Sequence, residues 1–272
     1  DDEQDVQSHD VDIELLDAIA TSQDLALSVS DVDLDGILGN LEAENCDVVA
    51  SAVTITGATN PAGDGSFVKA AYADFLNRPP TPAELAAAVE SLKTGRQTRA
   101  DVVAGLANSP EWVSAIVNQM YVDTLGRKGE AGGVAFWTRQ IQTKRRSVAQ
   151  VAALFYSSSE YYKGLGGGTD TSWVTNLYSK LLGRTPDAGG LAYWSAKAAA
   201  GREKVALGFY QSLESRNTRV ERLYVKLLGR SSDAAGRAFW AGRILVEGDV
   251  VLAADLASSN EYATRAATRF PS

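Results

Sequence analysis

From Phe67 onward, apolar positions recur at helical spacing, and the resulting stripes recur again at a longer period. Tyr178, Leu181 and Leu182 stand at i, i+3 and i+4, the stripe that one helix face buries. Gly183 follows at once, where a left-handed residue ends a helix, and Gly126 and Gly229 follow the corresponding stripes. Asn77 holds that position in the first stripe. Thr185-Pro186-Asp187 reads as an N-cap, a proline at the first helical position, and an acid favoured by the helix dipole. Leu191, Tyr193 and Trp194 then begin a second helix, expected to stop near Gly201 as Gly95 and Gly248 stop its counterparts. A third helix is expected from Thr98, Ser147 or Asp249, with stripes such as Val102-Val103-Leu106. Ser109-Pro110-Glu111 opens the next long helix with a cap, a proline and a first-turn acid. That helix should run on to the next tyrosine, so that successive units share an element.

The pattern returns four times. Tyr72, Tyr121, Tyr178 and Tyr224 each precede an arginine by six residues: Arg78, Arg127, Arg184 and Arg230. In the last three copies a tryptophan follows that arginine by ten residues (Trp137, Trp194, Trp240), whereas the first copy has Ala88. Each copy closes on a serine two residues before a glutamate: Ser109/Glu111, Ser158/Glu160, Ser212/Glu214 and Ser259/Glu261. The tyrosine-to-glutamate intervals are 39, 39, 36 and 37 residues. The expected fold is therefore mainly α, an array of four repeats of ~45–50 residues, with an atypical terminal copy. The units fall at about 67–112, 113–168, 169–216 and 217–272. The run Gly164 to Ser172, "GLGGGTDTS", interrupts the second-to-third junction and is the expected hinge.

Charge divides the chain. Residues 1–66 hold 16 of the 34 acids and none of the 26 Lys and Arg residues, and the first aromatic residue is Phe67. The acidic segment thus carries −16 and the remainder +8, within a total of −8. A boundary is expected close to Pro61-Ala62-Gly63-Asp64-Gly65, separating 1–66 from 67–272. Hydrophobic residues at 45% and charged residues at 22% suit a globular chain, and no apolar run approaches ~18 residues, so no membrane span is expected. The chain opens at Asp1 without a methionine, so the lack of a signal peptide carries no weight.

Candidate chemistry is sparse. One cysteine, Cys46, excludes an intrachain disulfide and a paired-thiol motif, and the only histidine, His9, lies in the acidic segment. "GLGGGT" lacks the Lys-Ser/Thr of a phosphate loop, and the short "KRRS" cluster at Lys144 to Ser147 reads as a solvated face. No nucleotide or nucleic-acid partner is expected. "DVDLDGILGNLE", Asp31 to Glu42, matches a calcium-loop pattern. In it Asp31, Asp33 and Asp35 would face the ion, Ile37 would lend its carbonyl, and Glu42 would bind through both oxygens. A competing reading stands beside it. The stretch before and through the loop alternates like an acidic-faced strand, and Asp47 to Gly57 reads as a β-strand where an exit helix would be needed.

The repeated arginines could hold phosphate or carboxylate ligands. Alternatively, each guanidinium spans a helix junction and pairs with carbonyls or the unit's own acid. Recurrence in four copies favours the second reading. The tryptophans could stack on sugars, but an aromatic pair at helical spacing fits a core.

The run "LYxKLLGRxxDxxGxxxW" at 177–194 and 223–240, with the closing Ser-x-Glu, resembles a bacterial domain of unknown function. That domain occurs as tandem copies in large secreted, repeat-in-toxin and surface-associated proteins. The pattern is also distantly similar to the phycobilisome linker domain, a helical assembly module. The resemblance covers residues 67–265, is most specific in the third and fourth copies, and does not cover 1–66. It implies an extracellular modular protein with no catalytic residues to carry over. The expected role is therefore a non-catalytic structural or interaction module that self-associates or meets another surface protein. Calcium is its expected ion, and the acidic segment its docking element. Two other classes stay open: a calcium-dependent glycan- or protein-binding adhesion module, and an enzyme acting on carbohydrate through paired carboxylates.

Overall fold

The computed structural model describes residues 61–271, all within the unit that runs from Thr59 to Ser272. The expected strand at Asp47 to Gly57 lies outside the described residues, and those described form helices and turns only. In chain order the α-helices are α1 (Pro61–Ala71), α2 (Pro82–Lys93), α3 (Arg99–Ala107), α4 (Pro110–Leu125) and α5 (Ala131–Gln142). Next come α6 (Val148–Ser157), α7 (Ser159–Lys163), α8 (Asp170–Leu177), α9 (Ala188–Ala200) and α10 (Arg202–Tyr210). The last are α11 (Leu213–Leu223), α12 (Ala234–Glu247), α13 (Asp249–Ser258) and α14 (Asn260–Arg269). Three five-residue π-turns extend α1, α8 and α11: Tyr72–Leu76, Tyr178–Leu182 and Tyr224–Leu228.

The expected caps are largely in place. Thr81, Thr98 and Ser147 each form a reciprocal capping box, and Ser109, Ser158, Ser212 and Ser259 each accept from the amide three residues on. Left-handed residues close the tyrosine helices at Asn77 (φ 54°), Gly126 (65°), Gly183 (70°) and Gly229 (74°). One cap differs. In the third unit Asp187 itself is the N-cap, accepting from Gly190 at 2.8 Å, and Thr185-Pro186 belongs to the preceding turn. A carboxylate reaches the third amide of the helix as readily as a hydroxyl does, and Asp233 repeats the arrangement in the fourth unit.

α1 begins at Pro61, within the stretch where the boundary is expected, and carries residues 61–66 into the helical array. Glycines at 63 and 65 favour a turn, but tertiary contacts override that preference. The buried Asp64 pairs with Arg99 at 2.9 Å, and the buried Ser66 donates to the carbonyl of Phe270. The glycine run breaks the helix where expected, between α7 and α8. It forms a pinned turn: Gly166 and Gly168 donate to the carbonyls of Tyr161 and Tyr162 at 2.7 and 2.8 Å. Trp173, fully buried beside it, donates to the Tyr156 carbonyl at 2.7 Å.

The four units do not simply stack in chain order. The third helices pair across units, α6 of the second against α10 of the third, and α3 of the first against α13 of the fourth. α14 lies against α1, so the last helix covers the first. One core accordingly joins the first and fourth units, from Phe67, Val68 and Val103 to Leu227, Leu252 and Tyr262. Two further clusters fill the second and third units, around Val117, Val151 and Phe155, and around Trp173, Leu177 and Phe209. Among the described residues no helix is long and apolar enough to cross a membrane.

Candidate functional site

The most repeated polar arrangement is built at the end of each tyrosine helix. The left-handed residue turns the chain so that the next side chain, an arginine, lies back across its own helix. Its guanidinium sits over the tyrosine ring six residues earlier: Arg78 over Tyr72 at 5.4 Å, Arg127 over Tyr121 at 5.5 Å, Arg184 over Tyr178 at 4.8 Å and Arg230 over Tyr224 at 5.3 Å. From there it reaches the closing glutamate of the same unit. Nε and Nη2 donate to the two carboxylate oxygens of Glu111, Glu160, Glu214 and Glu261 in turn, as a fork. Nη1 donates to the carbonyl of the following residue in every copy: Pro79, Lys128, Thr185 and Ser231. All three nitrogens are thereby engaged, and the helix end is tied to the start of the unit's closing helix.

Electrostatics follow the geometry. Arg78 also forks onto Glu84, both bonds at 2.9 Å, and Arg127 reaches Glu130 at 2.6 Å. The Arg78 guanidinium, with the Thr81 amide, holds the Glu84 carboxyl down at about 2. Arg127 likewise lowers Glu160, and the paired acids raise Arg127 and Arg184 above the usual arginine range. These groups are a third to a half exposed, so water and salt screen each pair, and its worth lies in direction more than in strength.

Below the clamp, three rings meet in the second and third units. Tyr121 and Trp137 both contact Phe155, with ring centroids 4.7 and 5.8 Å away, and Tyr178 and Trp194 contact Phe209 at 5.0 and 5.2 Å. Phe155 and Phe209 were not singled out from the sequence, although each stands three residues before the closing serine, where the other units have Leu106 and Leu256. The paired aromatics of the second helices divide. Trp137, Trp194 and Trp240 are half-buried, but Phe136, Tyr193 and Phe239 are about half exposed, at 54, 56 and 49%. Only the second member of each pair joins the core. The helical turn places the first member one step around, toward water.

Glycine at the start of these helices has a steric reason. A Cβ on Gly133, Gly190 or Gly236 would stand 2.4, 2.5 or 2.8 Å from the hydroxyl of Tyr121, Tyr178 or Tyr224. The tyrosine can lie flat under its arginine only because that position is bare.

Elsewhere, an open groove of about 690 Å³ runs between α4 and α5, lined by Ser114, Asn118, Val134, Thr138, Arg139 and Gln142 among others. Its one acid is Glu111, which Arg78 already holds. Among the described residues no three His, Cys, Asp or Glu side chains gather as a metal site. The candidate calcium ligands Asp31, Asp33, Asp35, Ile37 and Glu42 lie outside the described residues, as do His9 and Cys46.

Comparison with known proteins gives one match. A family model described as "Domain of unknown function (DUF4214)" matches residues 48–116 and 152–219, half of the chain. No curated protein and no solved structure matches. The matched stretches carry the Arg78 and Arg184 clamps. The first also takes in part of the acidic segment and the copy expected to resemble the family least, while the run at 223–240 lies outside both. The clamps of Arg127 and Arg230 nonetheless repeat the same bonds.

Proposed function

The chain belongs to the family described as Domain of unknown function (DUF4214), and on that premise we propose that it is a non-catalytic structural and interaction module. It acts outside the cell, in a surface layer, filament or matrix. The helical units are its scaffold, and the acidic N-terminal segment docks between molecules. Calcium at Asp31, Asp33, Asp35, Ile37 and Glu42 would serve that segment by offsetting its charge.

One observation carries this reading. The side chains that most resemble a site, the four arginines and their glutamates, are paired with each other in every copy. A reactive centre is typically built once, from groups whose environments differ. Four equivalent closed clamps instead fix four helix junctions. Sedimentation velocity of the full chain at low ionic strength, with and without calcium, tests the assembly. Growth of the sedimentation coefficient with protein concentration supports it, and a monomer under every condition overturns it.

A second reading rests on the exposed rings. Phe136, Tyr193 and Phe239 occupy equivalent positions and contact a half-buried tryptophan edge-on, at 4.9 to 5.0 Å. Such rings can stack on sugar or peptide faces. Tryptophan fluorescence that changes saturably on adding oligosaccharides would support a glycan-binding adhesion module. An unchanged spectrum would count against it.

A further inference from the structure

A seam where the second, third and fourth units meet combines free positive charge with exposed aliphatic surface. A cavity of about 80 Å³ there is lined by Ser147, Arg216, Arg219, Leu245, Val246 and Asp249, among others. Its acids are already engaged: Asp249 pairs with Arg219, and Glu247 accepts from Arg243 at 2.9 Å. Arg216 donates to the carbonyls of Gln211 and Ala241 and, among the described residues, meets no carboxylate. Burial and the neighbouring Arg219 push its pKa down. Lys144, Arg145 and Arg146, just before Ser147, also form no ion pair among the described residues. Arg216 is thus an uncompensated cation in the lining, and three more directly precede the lining residue Ser147 in the chain. Beside them, Leu245 is half exposed and Val246 is 86% exposed, an unusual place for two aliphatic side chains.

The backbone adds a separate sign. Lys144 is held left-handed at φ 54°, at the position where the first unit has Gly95 at φ 68°. A lysine in that conformation is strained, yet it stands where glycine would relieve the strain.

A surface of this kind fits an occupant in which acids alternate with aliphatic side chains, and the chain contains one. Asp10 to Ile19, "DVDIELLDAI", carries four acids, Val11, Ile13, Leu15, Leu16 and Ile19, and no base. We propose that residues 10–19 of one copy dock on the seam of a second copy, the acids meeting Lys144, Arg145, Arg146 and Arg216 while the aliphatic side chains cover Leu245 and Val246. The proposal rests on the assembly reading above and supplies its contact surface. Such a contact joins two different surfaces of the chain, so it closes a pair where it is reciprocated and passes from copy to copy where it is not.

Charge reversal in trans tests it. The full chain is compared with Arg145→Glu/Arg146→Glu and with Asp12→Lys/Glu14→Lys, by sedimentation velocity at low ionic strength. Urea unfolding midpoints confirm that each variant folds. Each variant alone should associate at least about tenfold more weakly than the parent. An equimolar mixture should regain association, because each variant offers the other a complementary partner. If the parent associates and the variants associate equally well, the seam is not the contact. If the variants weaken but the mixture does not recover, the segment docks within its own chain or on another partner, and the proposal falls. A parent that stays monomeric removes the assembly reading itself, and this proposal with it.

Discussion

Gly132 and Gly133 are neighbours in the first turn of α5, yet they serve different ends. A Cβ on Gly132 meets nothing within 4 Å, whereas one on Gly133 would stand 2.4 Å from the Tyr121 hydroxyl. Gly132→Ala should therefore raise stability by up to about 0.5–1 kcal/mol through backbone entropy. Gly133→Ala should lower it by about 1–3 kcal/mol, because the ring must leave its place under Arg127. Urea unfolding of the two variants checks the contrast, and equal effects would refute the packing explanation. Lys144→Gly is expected to stabilise the fold by about 0.5–1 kcal/mol while weakening association. Both readouts come from the same samples. Periodicity made the recurring glycines visible in the sequence. The tyrosine hydroxyl that requires them was not visible, because it approaches from another helix.

Each helix junction is organised by caps and clamps whose charge state sets a pH limit. Glu84 is held at about 2 by Arg78, and Glu221 at about 2 by the hydroxyl and amide of Ser232, both well below the ordinary 4.5. A depressed carboxylate contributes stability that is fully present above its unfolded pKa and lost as pH falls through the folded one. The thermal midpoint should therefore hold above about pH 4.5 and decline steadily toward pH 2. Glu84→Gln should flatten part of that decline. A midpoint unchanged between pH 5 and pH 2 would contradict the clamp electrostatics.

Caps were the most legible elements in the sequence, since serine, proline and glutamate at fixed offsets act locally. Ser109 and Thr98 appear where they were expected. Asp187 was displaced by two residues, since Thr185-Pro186-Asp187 offers two plausible capping side chains, and only the geometry decides which oxygen reaches the third amide. The start of α1 was not read from the sequence, because Asp64 and Ser66 are held by Arg99 and Phe270, residues far away in the chain.

At the scale of the whole molecule, the pairing of the first unit with the fourth is the feature least readable from the repeats. A period predicts neighbours in chain order and says nothing of the ends. Here the ends meet through Asp74, which is buried and accepts from Tyr262 at 2.8 Å and from Arg269 at 2.7 and 2.9 Å. Phe67 and Tyr262 pack edge to face beside it, with centroids 5.9 Å apart. Asp74→Ala leaves the Tyr262 hydroxyl and Arg269 without their acceptor and should cost about 1–3 kcal/mol. Hydrogen exchange should then show α1 and α14 losing protection together, ahead of α6 and α10. Loss confined to α14 would mean that the ends are not a single cooperative unit.

The most direct test of the central claim, that the repeated arginines hold the units together, is the urea unfolding midpoint of four single variants: Arg78→Ala, Arg127→Ala, Arg184→Ala and Arg230→Ala. All four midpoints are expected to fall. A midpoint that rose in any one of them would contradict the claim, for it would mark an arginine kept at a cost to stability in order to grip something else.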